Sequence, residues 1–104
     1  FVDIIEEIPL KKGYRYYLDA SFVNPRIPLE EVYLVYEITD EAGNSLIWKN
    51  FGIPDGGDEG FGVKETISIE NLNAESMKLR VFLWNESPVP YEFDQARITL
   101  YRNK

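Results

Sequence analysis

The sequence predicts an all-β fold, an antiparallel β-sandwich of about seven strands. Three observations lead there. Apolar residues recur at a period of about two, not about 3.6, along most of the chain. Clusters of Gly, Pro, Asn and Asp break the pattern at short intervals. The chain has 104 residues, enough for one core and too few for two ordinary domains.

The elements follow in order. Val2 to Ile8 reads as an edge strand broken at Pro9, since proline cannot donate to a ladder and is tolerated at an edge. Between Tyr14 and Val23, Tyr16, Leu18, Ala20 and Phe22 oppose Arg15, Tyr17, Asp19 and Ser21. From Val32 to Thr39, Val32, Leu34, Tyr36 and Ile38 alternate with Tyr33, Val35, Glu37 and Thr39. Glu41-Ala42-Gly43 then suits a type I turn closed by a left-handed Gly and a bulge, which predicts a hairpin into Leu46–Phe51. From Val63 to Glu70 the apolar side is Val63, Ile67 and Ile69, with Glu65 its one charge. Met77, Leu79, Val81 and Leu83 alternate with Lys78, Arg80, Phe82 and Trp84. Ala96, Ile98 and Leu100 alternate with Arg97, Thr99 and Tyr101 in the last strand. Asn24-Pro25, Ile27-Pro28, Asp55–Gly60 and Pro88–Pro90 are the loops, and one helical turn at most fits Asn73 to Met77.

This spacing suits an immunoglobulin or fibronectin-III type of sandwich, whose strands are lettered A, B, C, C′, E, F and G. Strands C, F and G would then share a sheet, with C′ at its edge. Their aliphatic sides must face the other sheet, because burying that area drives folding. The expected hairpin register pairs Ile38 with Leu46, Tyr36 with Trp48 and Tyr33 with Phe51. Trp48 would point inward and Phe51 outward; a slip of one residue would invert this and turn Lys49 inward, at a cost.

An outer aromatic cluster follows from that arrangement: Tyr33, Val35, Phe51, Phe82 and Trp84, with Phe93 and Arg97 close by. Adjacent outward aromatics form a patch that monomers rarely leave open. Three readings apply. The Pro88–Tyr91 segment folds over Trp84 as a small satellite core, a neighbouring domain docks there, or a sugar stacks on the rings.

Composition narrows the chemistry. The chain has no Cys and no His, which removes thiolate nucleophiles, Ser-His-Asp triads and Cys/His zinc sites. The net charge of −7 without a basic stripe makes a poor binder of nucleic acid or anionic lipid. No apolar run approaches the ~20 residues that span a bilayer, so no membrane insertion is expected. Asp55, Asp58 and Glu59 are weak calcium candidates, as are Asp40, Glu41 and Asn44. They lack the alternating pattern and distal Glu of an EF-hand loop, so a solvated loop is the favoured reading. Paired carboxylates could in principle hydrolyse a glycosidic bond, but the acids are scattered and no cleft-forming insertion accompanies them. No enzyme is expected, and no cofactor. The first residue is Phe1, which suits a single module, residues 1–104, cut from a larger or processed protein.

Two stretches carry a resemblance. Thr39-Asp40-Glu41-Ala42-Gly43-Asn44 resembles the hairpin turn of bacterial Ig-like repeats. Leu79 to Asn85 followed by Pro88 resembles the penultimate strand of Ig-like and fibronectin-III-like modules in bacterial surface and secreted proteins. The resemblance implies an extracellular or cell-surface accessory unit, a spacer, adhesion or interaction module without catalysis. The partner would be a neighbouring domain of the parent chain or another protein. The alternative is a carbohydrate-binding module that stacks polysaccharide on the outer aromatics.

Overall fold

In a computed structural model the chain forms seven strands: β1 (Val2–Leu10), β2 (Arg15–Val23), β3 (Val32–Asp40), β4 (Ser45–Gly52), β5 (Phe61–Ile67), β6 (Met77–Asn85) and β7 (Gln95–Asn103). The structure describes residues 2–23, 25–27, 31–54, 60–69, 76–86 and 92–103. Asn73 to Glu75, part of the expected helical turn, lie outside these, and Met77 opens β6. The strands form two antiparallel sheets, ordered β1-β6-β3-β4 and β5-β2-β7. The fold is therefore an all-β, two-sheet sandwich compatible with the Ig-like class.

The core lies between the sheets. Tyr16, Leu18, Ala20 and Phe22 of β2 meet Leu34, Tyr36 and Ile38 of β3 and Leu79, Val81 and Leu83 of β6, all buried. These are the aliphatic and aromatic stripes of the sequence, turned toward each other because burying them removes the most apolar area from water. Tyr16 is fully buried, and its hydroxyl oxygen accepts a hydrogen bond from the Lys11 backbone N–H at 2.8 Å, so its polar end is satisfied. The folded surface is 6555 Å², near the roughly 6,000 Å² that chain mass alone predicts.

One part of the expected topology is corrected. The last strand does not share a sheet with β3 and β6. β7 lies beside β2, from Arg15↔Asn103 to Val23↔Gln95 without a break. β1 takes the place beside β6 instead. Charge gives a reason. β6 carries Lys78 and Arg80 on its outer side, and β1 brings Glu7, whose carboxylate lies 3.1 Å from Lys78 Nζ and 4.0 Å from Arg80 Nε. β7 offers Arg97 on its outward side and no acid there within the strand, and like charges on facing strands repel. β1 runs on through Pro9 to Leu10, as an edge strand can.

The hairpin register is also corrected. The turn itself forms as expected: Gly43 has φ +87°, and its N–H donates to the Asp40 carbonyl at 3.1 Å. The Asp40 carboxylate accepts from the backbone N–H groups of Ala42 and Asn44 at 3.0 and 2.8 Å, and from Asn44 Nδ2 at 3.0 Å. The register then shifts between Ile38 and Thr39, so that Thr39 faces Ser45 but Ile38 faces Ile47. One extra residue in β4 turns over every side chain beyond it. Phe51 now sits inward opposite Leu34, and Trp48 sits outward opposite Glu37.

The same shift turns Lys49 inward, opposite Tyr36. Its expected cost is offset twice. β4 is an edge strand, so the Lys49 side chain keeps 55% of its surface in solvent. Its Nζ lies 2.7 Å from Glu65 Oε1 of β5, the one charge on the other sheet's apolar stripe. Tyr36 Oη donates to the same oxygen at 3.5 Å. The two misplaced charges of the sequence thus meet across the open side of the sandwich.

Candidate functional site

The outer face of the β1-β6-β3-β4 sheet carries a second, smaller apolar layer. Strand pairing sets its rows. Val35 lies opposite Phe82 and Tyr33 opposite Trp84 on neighbouring strands β3 and β6. Glu37 lies between Arg80 of β6 and Trp48 of β4. Because the inner sides of β3 and β6 are committed to the core, these side chains can only face outward.

Trp48 closes over this layer. Its indole meets Phe82 at 5.5 Å and 65°, and Trp84 at 6.0 Å and 84°. Both contacts are edge to face, the arrangement that puts a positive ring edge on a negative ring face. Tyr33 and Trp84 are tilted by 42° at 5.8 Å. The Arg80 guanidinium lies 5.2 Å from the centre of the Phe82 ring, within cation–π reach. It also approaches Glu37 Oε1 at 3.9 Å. The result is graded exposure: Val35 is fully buried, Phe82 is 3% exposed, Tyr33 and Trp84 are half-buried, and Trp48 is 44% exposed.

Of the residues the sequence nominated, Tyr33, Phe82 and Trp84 come together here, with Val35 beneath them. Phe51 does not join them. It packs against the core and stacks with Tyr36 at 6.4 Å. Phe93 also lies elsewhere, 4.8 Å from the Phe22 ring at the core's margin. Arg97 is exposed on the other sheet, opposite Ser21. The Pro88–Tyr91 segment, expected as a cover for Trp84, lies outside the described residues, as do Asp55, Asp58 and Glu59. Asp40 turns its carboxylate on its own loop. Its hydrogen bonds to Asn44, side chain and backbone, hold its pKa below the ordinary aspartate range.

Sequence reasoning missed Trp48, the ring that links the cluster. Its placement depends on one bulged residue, and the available clue was indirect. Lys49 and Glu65 each break an otherwise apolar stripe, and such a pair can be turned inward together.

Comparison with protein-family models, curated proteins and solved structures found no match to this chain.

Proposed function

We propose that the domain is a non-catalytic structural and interaction module of a larger extracellular or cell-surface protein. It docks a neighbouring domain of that protein through the Trp48, Trp84 and Tyr33 face. The observation that carries this reading is Trp48, an indole 44% exposed above two other aromatic rings. Trp, Tyr and Arg are the residues enriched where proteins meet, and a central aromatic anchor supplies much of the binding energy. Arg80, Glu37 and Glu7 border the rings and give a partner polar groups to match. The edge-to-face geometry favours this over a sugar platform. The rings of Trp48, Trp84 and Tyr33 are steeply inclined to one another and so form no flat row of faces, and Phe82 has almost no surface to offer.

The test uses tryptophan emission from the unmodified chain, whose two tryptophans, Trp48 and Trp84, both belong to the proposed face. That emission is compared between residues 1–104 alone and the longer parent chain. Docking predicts a blue shift and weaker acrylamide quenching in the longer chain, both reversed by salt-independent disruption with Tyr33→Ala. Equal quenching in the two forms contradicts the reading. A tryptophan response to soluble oligosaccharide in the isolated domain would reassign the face to sugar.

A further inference from the structure

The opposite face of the sandwich carries a different kind of surface. On the outer side of the β5-β2-β7 sheet, Thr66, Tyr17 and Tyr101 form one row across the strands, and Lys64, Asp19 and Thr99 the next. Two hollows lie side by side there. One, of about 420 Å³, is bordered by Tyr14, Arg15, Tyr17, Thr66 and Ser68. The other, of about 210 Å³, is bordered by Tyr17, Asp19, Lys64, Glu65, Thr66 and Tyr101, although the Glu65 carboxylate is turned inward to Lys49. Tyr17 and Thr66 are common to both.

We propose that this face binds an acidic oligosaccharide, with successive sugar units on either side of Tyr17. Three observations support the assignment. Tyr101 is 54% exposed, and a pyranose covers such a ring with its C–H face. Hydroxyl, carboxylate and ammonium groups surround the rings, and sugar hydroxyls need both donors and acceptors. These polar groups are uncommitted: among the described residues no hydrogen bond or ion pair engages the side chains of Arg15, Tyr17, Asp19 or Lys64, although Asp19 and Lys64 face each other in register. Charge then selects the sugar class. The chain as a whole is at −7, yet among the described residues the larger hollow is bordered by Arg15 and by no acid. A guanidinium free to take a carboxylate in two parallel hydrogen bonds suits a uronate. This site is separate from the Trp48 face and stands without the docking role proposed for it.

Calorimetric titration with a short oligogalacturonate, and with a neutral cello-oligosaccharide of equal length, tests the assignment. The galacturonate binds more tightly. Tyr17→Ala weakens it at least about tenfold, as loss of a central aromatic contact does. Arg15→Gln abolishes the preference for the acidic sugar, and Trp48→Ala changes neither titration. Circular dichroism confirms that each variant is folded; if Tyr17→Ala is not, Tyr101→Ala serves in its place and gives the same loss. Absence of binding overturns the proposal. So does binding that survives both tyrosine substitutions, a galacturonate affinity unchanged by Arg15→Gln, or equal binding of an oligoglutamate.

Discussion

β2 and β6 both lie inside their sheets, but only β2 alternates cleanly between core and solvent. β2 buries Tyr16, Leu18, Ala20 and Phe22 and leaves each residue between them half-open or exposed. β6 buries Val81, Phe82 and Leu83 in succession. The difference lies in the outward residues. On β2 they are Arg15, Tyr17, Asp19 and Ser21, which water solvates; on β6 Phe82 and Trp84 draw Trp48 over from β4. A period of two tells which side of a strand meets the other sheet. Whether the far side is wet depends on the chemistry of that side, and here one sheet has acquired a second apolar layer.

The shared core is the baseline for this contrast, so its loss has the largest effect. Phe22→Ala removes a ring 1% exposed that stacks with Phe61 and meets Phe93 at a tilt. It should destabilise by about 3–5 kcal/mol in urea denaturation. A cost below about 1 kcal/mol would mean that β2 does not rest on a packed interior.

Backbone approach at the edge of β2 comes next. Gly60 has φ +76°, and a Cβ there would lie 2.8 Å from the Phe22 carbonyl oxygen. Gly43 has φ +87° but open space around it. Gly43→Ala meets only the left-handed backbone cost of about 1–2 kcal/mol. Gly60→Ala should exceed it by about 1 kcal/mol or more, because backbone has to move aside. Equal melting shifts for the two variants would remove the close approach from the account.

Much of this was legible in the sequence because strand period and turn chemistry are local. The stripes of β2, β3 and β6 fell where the alternation of Leu, Val and Ile placed them, and Gly43 closed the turn it suited. What failed was non-local. Whether β1 or β7 lies beside β6 is a choice between the two ends of the chain, and the alternation within one strand does not carry that information. The turn residues did not reveal the extra residue in β4, so Phe51 and Trp48 exchanged faces. Of the nominated patch, the residues on β3 and β6 came together, because their register follows from two well-patterned strands. Those on β4 and β7, or leading into β7, did not.

The bridge between the sheets yields a pH dependence. Burial raises the Tyr36 pKa above the ordinary phenol value, and the hydrogen bond to Glu65 raises that of Lys49. In both cases the protonated form is the one favoured in the folded state. Their contribution is complete below about pH 10, where both groups are also protonated when unfolded, and is lost as pH rises through the folded-state values. Urea midpoints should therefore fall above about pH 10. The fall should be shallower in a Tyr36→Phe, Lys49→Met double variant; an unchanged slope would place the alkaline sensitivity elsewhere.

The contrast between the two outer faces is tested most directly at Phe82. Urea denaturation of Phe82→Ala, set against Asp19→Ala on the outer side of β2, compares equivalent outward positions. Phe82→Ala should cost about 3 kcal/mol or more, the penalty of a buried ring, while Asp19→Ala should stay within about 0.5 kcal/mol, as at an ordinary surface site. A near-neutral Phe82→Ala would contradict the second apolar layer, and with it the footing on which Trp48 stands.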